Sequence, residues 1–183
     1  MYNYFGSAYT DLLFWEGGYN HVAGDKGGAT NHGISLRFLK NLPLAEADIN
    51  HDGHVTKEDI KTLSLAKAAG FYRKHFWQNY GLECVKSQPI ATKLLNIFVN
   101  MRGRTAGRVA QRALRACCID VFEDGYLGPL SYSAINDLIS AEDGAARYIV
   151  SLRSEQAAVY RLIVAHNPTQ QKFFDGWLNR AYS

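Results

Sequence analysis

The amino-acid sequence predicts a mainly α-helical protein, and three observations carry that prediction. Apolar residues recur at helical spacing in most segments, as at Ile90, Leu94, Leu95, Phe98 and Met101. Ser64, Pro89 and Pro129 stand where helices start. No strand-like alternation appears beyond one hairpin candidate over residues 19–32. With 183 residues and 47% hydrophobic content, the chain can bury one sizeable core or two small helical halves packed together.

Each element follows in order. Tyr9, Leu12, Leu13 and Trp15 lie close to helical spacing, and Gly17 and Gly18 break the pattern, so Glu16 leaves a packed helix. After the hairpin candidate, residues 48–59 form an acidic turn, with Thr56 placed to cap a helix and Glu58 and Asp59 in its first turn. Ser64 caps a helix running through Ala68, Phe71, Tyr72 and His75 toward Trp77. Pro89 opens the next, and Ala106 to Cys118 forms another. After Pro129 come Ile135 and Leu138, then an amphipathic segment from about Ala141 to His166 and a last helix from Thr169 to Tyr182. A boundary at Gln88 and Pro89 divides the chain into halves 1–88 and 89–183, expected to share a core.

A net charge of +3 favours an anionic polymer as partner. Arg102, Arg104, Arg108, Arg112 and Arg115 fall along one expected helix, the last four on a shared face. A solvated or polymer-facing stripe fits better than nucleic-acid recognition, because no DNA- or RNA-binding motif accompanies it. No apolar run approaches the ~18 residues of a membrane span. The start Met-Tyr-Asn-Tyr-Phe-Gly lacks the basic region and apolar core of a secretory signal, so synthesis in the cytoplasm without a signal peptide is expected. Cys84, Cys117 and Cys118 form no disulfide framework and are expected as buried free thiols.

The chemistry concentrates between Glu16 and Ser35. An acid at the end of an apolar helix is followed by paired glycines at 17–18 and 27–28, with Gly33 near the end and Asp25 and Thr30 between. Paired glycines let backbone approach a ligand or turn tightly. Hydrolysis of an acetal needs an acid for the leaving oxygen and a second group that guides water or stabilises positive charge. Glu16, Asp25 and Thr30 supply such a set; the plainer reading of a Glu beside glycines is a solvated helix end. Tyr19 is the best candidate for stacking on a sugar face, while Phe76, Trp77 and Tyr80 fit either core or cleft rim.

The run Trp15-Glu16-Gly17-Gly18-Tyr19, then Asp25, Gly27-Gly28-Ala29-Thr30-Asn31 and Gly33-Ile34-Ser35, resembles the signature of glycoside hydrolase family 108. That family holds N-acetylmuramidases of phage endolysins and of holin-linked toxin secretion. The resemblance implies a lysozyme-like helical fold, with Glu16 as the acid, Asp25 and Thr30 completing the active site, and Tyr19, Asn31 and His32 at the substrate. The segments Phe98-Val99-Asn100-Met101, Asp124-Gly125-Tyr126-Leu127-Gly128-Pro129 and Phe174-Asp175-Gly176-Trp177-Leu178-Asn179-Arg180 resemble the peptidoglycan-binding half that accompanies this catalytic half. The implied partner is peptidoglycan, with a holin or toxin secretion system as the way out and the periplasm as the place of action. The arginine stripe would then face acidic stem peptides of the wall.

A second motif carries metal chemistry. Asp48, Asn50, Asp52 and Asp59 stand at positions one, three, five and twelve of a loop with Gly53 at six, the pattern of an EF-hand-type calcium loop. His54 would add its carbonyl and Thr56 an oxygen, directly or through water. Asp59 replaces the usual Glu, which weakens calcium or shifts selectivity toward magnesium. A structural Ca2+ is expected, set against the acidic helix cap described above, and no cofactor is required for the chemistry. Two other functions stay open. A peptidoglycan endopeptidase, zinc-dependent through His21 or His32, would leave glycan strands uncut, and a non-catalytic cell-wall-binding module would release nothing.

Overall fold

The computed structural model describes residues 3–16, 18, 19, 28–101 and 103–183. The chain divides into two compact units, Tyr9–His75 and Met1–Ala8 with Phe76–Ser183. Residues 76–88 therefore group with the C-terminal helices.

Helix α1 (Phe5–Trp15), which belongs to the first unit from Tyr9 on, buries Tyr9 and Leu12 there, three residues apart on one face, and ends at Trp15. Strands β1 (Thr30–Asn31) and β2 (Ile34–Ser35) pair antiparallel, Thr30 opposite Ser35 and Asn31 opposite Ile34. The two residues between them, His32 and Gly33, have φ of +48° and +76°, the mirror-image turn whose twist suits a two-residue hairpin. Among the described residues the hairpin thus spans 30–35, and residues 20–27 of the expected one lie outside the described set. Ser35 caps α2 (Leu36–Leu39) by accepting the Phe38 N–H at 3.1 Å. Helices α3 (Leu44–Ala47) and α4 (Lys57–Thr62) follow. Ser64 caps α5 (Leu65–Tyr72) through the Lys67 N–H, as its sequence position predicts. Beyond Tyr72 the chain widens into a π-helical stretch, Arg73–Gln78, where Lys74 Nζ and His75 Nε2 each lie 2.6 Å from the Glu46 carboxylate. Leu12, Ile34, Leu39, Ile60, Phe71 and Tyr72 are buried in this unit.

In the second unit, Phe76 and Trp77 are buried, which makes them core rather than cleft residues; Phe5 meets the Trp77 ring edge-on at 5.7 Å. The helices are α6 (Gln88–Met101), α7 (Gly103–Ala116), α8 (Pro129–Ser140), α9 (Gly144–His166) and α10 (Phe174–Tyr182). At 23 residues, roughly 35 Å, α9 is the spine, packing against α6, α7, α8 and α10. The expected last helix divides, because Pro168–Phe173 forms a 3₁₀ stretch whose start is capped by Asn167. Lys93 on α6 is buried and donates from Nζ to the carbonyls of Arg180 at 3.0 Å and Ala181 at 2.6 Å, near the end of α10. Burial, with Arg153 and Arg180 nearby, pushes its pKa down to about 7. All three cysteines are free; Cys117 is buried as expected, whereas Cys84 and Cys118 are exposed. No described helix is long and apolar enough to cross a membrane.

Candidate active site

Glu16 follows the last turn of α1, its N–H donating to the Leu13 carbonyl at 3.3 Å, and its side chain is half-buried. The carboxyl group lies against Gly33 in the hairpin turn. A Cβ at Gly33 would fall 2.8 Å from Glu16 Cδ, and closer still to Glu16 Oε2 and to the Tyr72 hydroxyl. Gly33 is therefore glycine for two reasons, its positive φ and the lack of room for a methyl group. The Tyr72 hydroxyl donates to the His32 carbonyl at 3.2 Å, and its ring tilts against Tyr9 with centroids 5.5 Å apart. The end of α1, the hairpin turn and the end of α5 thus converge on one carboxyl group. A carboxyl fixed beside a bare glycine, with a phenol alongside, can present a proton to a bound oxygen without a side chain in the way. Tyr72 and Gly33 beside the Glu16 carboxyl are the neighbours that sequence reasoning assigned no such part; Gly33 within the glycine-rich run was the one available signal.

The other sequence-predicted residues divide. Thr30 sits half-buried on β1 of the same hairpin. Tyr19 is 45% exposed, and Phe14, 82% exposed and edge-on to the Trp15 ring at 5.2 Å, is a second exposed aromatic that the sequence did not single out. Asn31 is buried, and its amide donates to the carbonyls of Ile60 at 3.0 Å and Leu63 at 3.4 Å, fastening the hairpin to the end of α4. His32 is half-buried and takes part through its backbone, as acceptor for Tyr72. Asp25 and His21 lie outside the described residues.

At residues 48–59 the geometry realises the helix cap. Thr56 Oγ1 accepts the Glu58 N–H at 3.2 Å, and Asp59 Oδ2 accepts the Thr56 N–H at 2.7 Å. Asp59 Oδ1 accepts the Ile49 N–H at 2.7 Å and the Asn50 N–H at 3.3 Å. Burial pushes the Asp59 carboxyl up, but these three backbone donors outweigh it and hold its pKa below the ordinary value. Asp48 accepts the Gly53 N–H at 2.8 Å, Gly53 has φ of +86°, and the side chains of Asn50 and Asp52 meet at 2.9 Å. Among the described residues no three His, Cys, Asp or Glu side chains converge as metal donors.

The family model described as Glycosyl hydrolase 108 matches residues 9–102, and that described as Predicted Peptidoglycan domain matches residues 105–182. Among solved structures, the chain is similar to Brucella abortus SagA, with a TM-score of 0.70 and 25% identity, over 97% of this chain and 88% of that one. No curated protein matches the chain.

Proposed function

We infer the role of Glu16 from a plain premise: the chain belongs to the glycosyl hydrolase 108 family and is a muramidase, a glycoside hydrolase acting on peptidoglycan. Glu16 is the general acid that protonates the leaving oxygen of the β-1,4 bond between N-acetylmuramic acid and N-acetylglucosamine. The observation that carries this reading is the packing of its carboxyl against Gly33 and beside the Tyr72 hydroxyl. Asp25 orders water or stabilises the oxocarbenium-like transition state, and Thr30 helps to hold that water. Tyr19 and Phe14 offer exposed ring faces to the sugars. Mass spectrometry of digested peptidoglycan tests the bond assignment. New reducing N-acetylmuramic acid ends are expected; free peptides with intact glycan would move the chemistry to an endopeptidase, and no release despite binding would leave a wall-binding module.

The enzyme acts on the cell wall, and the resemblance to holin-linked muramidases supports action in the periplasm after passage through a holin-type pore or toxin secretion system. The loop at 48–59 holds Ca2+ as a structural staple through Asp48, Asn50, Asp52 and the His54 carbonyl. Hard oxygen donors and the positive φ values at His51 and Gly53 support this. Asp59 at position twelve, which accepts three backbone N–H groups as Asp48 and Asp52 accept those of Asp52, Gly53 and His54, completes the donor set. A rise in Tm with millimolar Ca2+ that a chelator reverses is the expected result; an unchanged Tm would leave the loop as a helix cap alone.

A further inference from the structure

We propose that a cleft in the C-terminal unit, between α7 and residues 119–128, binds a carboxylate of the peptidoglycan stem peptide, with Arg104 as its cation and Tyr126 as its wall. The inference rests on the peptidoglycan reading above and adds a substrate contact apart from Glu16. The cavity holds about 400 Å3, and its lining includes Asn79, Tyr80, Phe98, Arg104 and Tyr126. Tyr80 and Phe98 stack at 4.1 Å, and the Tyr80 hydroxyl accepts the Gly103 N–H at 3.2 Å. At the rim, the Arg104 guanidinium lies 4.7 Å from the Tyr126 ring centroid and donates to the Tyr126 hydroxyl at 2.8 Å.

This rim is held rigidly from beneath. Gln111, 1% exposed, donates to Asp124 Oδ1 at 2.8 Å and to the Tyr126 carbonyl at 2.9 Å, and accepts the Gly125 N–H at 2.7 Å. Gly107 on α7 faces the Gly125 carbonyl too closely for any Cβ, so the segment lies directly on the helix. A buried amide satisfied in three directions fixes the backbone that carries the exposed Tyr126, whose hydroxyl in turn accepts from Arg104.

Charge decides the ligand. On the arginine face of α7, Arg112 and Arg115 are neutralised by Glu123, at 2.7 and 3.7 Å. Among the described residues Arg104 and Arg108 form no ion pair. The nearby carboxylate of Asp124, whose pKa is lowered by the Gln111 amide, the Tyr126 N–H and the Arg104 charge, makes no ion pair with Arg104; its Oδ1 takes the Gln111 amide and the Tyr126 N–H. Arg104 therefore retains a planar fork of N–H donors suited to a bidentate carboxylate. In peptidoglycan the free carboxylates belong to the stem peptides, because the lactyl group of each substituted muramic acid is consumed in an amide bond.

The test uses the full chain carrying Glu16→Gln to prevent turnover, and a soluble disaccharide-tetrapeptide muropeptide followed by calorimetry. Arg104→Gln in that background is expected to weaken binding at least tenfold. The same muropeptide with its carboxyl groups amidated is expected to bind the Arg104-containing protein as weakly as that variant binds the native ligand. Tyr126→Phe, which removes the hydroxyl that steadies Arg104, is expected to fall between. Equal affinity for native and amidated muropeptides overturns the proposal, an arm that needs no variant at position 104 to fold. Affinity within twofold after Arg104→Gln, with Tm unchanged, overturns it as well. Reducing ends released from sacculi by the wild type report the muramidase reading separately.

Discussion

Gly33→Ala is the sharpest perturbation of the site, because two separable costs meet at one atom. The backbone cost is that of a non-glycine residue at φ +76°, about 1–2 kcal/mol. The second is displacement, since the new methyl would lie 2.8 Å from Glu16 Cδ and nearer its Oε2. Relief of such overpacking costs about 1–3 kcal/mol, and a carboxyl moved by about 1 Å loses on the order of 100-fold in rate. Gly53→Ala isolates the first cost, because Gly53 has φ of +86° and a methyl group there would meet nothing within 4 Å. At roughly 2–4 °C of Tm per kcal/mol for a chain of this size, Gly53→Ala is expected to lower Tm by roughly 2–8 °C with turnover per folded molecule unchanged. Gly33→Ala is expected to lower Tm further and to lose about 100-fold in the release of reducing ends from sacculi. Equal turnover by Gly33→Ala and wild type would refute the placement of the Glu16 carboxyl against the hairpin turn.

Three further outcomes are expected. Asn31→Ala leaves the buried carbonyls of Ile60 and Leu63 without their donor and should cost about 1–3 kcal/mol, read as a fall in denaturation midpoint; muropeptide affinity of the folded variant should hold. Tyr72→Phe removes the hydroxyl that donates to His32, so turnover should drop more than stability does, by about tenfold against about 1 kcal/mol, measured on sacculi and by thermal unfolding. Lys93 gives the pH dependence: its native pKa of about 7 lies below the ordinary 10.5, so between those values the unfolded chain binds a proton that the native protein releases. Stability from this group is full above pH 10.5 and lost as pH falls through about 7. Lys93→Met should flatten the rise in unfolding free energy across that window, as chemical denaturation at stepped pH would record.

Much of the helical fold was legible because helix starts carry local signals. Ser64 caps α5 and Pro129 opens α8 where the sequence places them. The long apolar stripe of α9 was also legible, ending at His166. The turn of the hairpin at 30–35 was not legible because it uses His32 at positive φ, where Asn or Gly would have announced it. Glu16 was legible as an acid leaving a helix beside glycines, but what surrounds it was not. Tyr72 reaches His32 across 40 residues of sequence, and its spacing on α5 reads as ordinary core. The structural part of Asn31 was not legible either, because the acceptors of its amide lie 29 and 32 residues away in sequence. The arginine stripe was visible as a shared helix face, whereas its partial neutralisation by Glu123 depends on how residues 119–128 lie back on α7.

The central claim is that Glu16 supplies the proton for glycan cleavage, and the turnover of Glu16→Gln on purified sacculi tests it most directly. The amide keeps the size of the side chain but has no acidic proton. Release of reducing N-acetylmuramic acid ends should fall by about 10²–10⁴-fold while sacculus binding and Tm stay at wild-type values. Turnover within tenfold of wild type, with the same products, would contradict the account and return Glu16 to the role of a helix end.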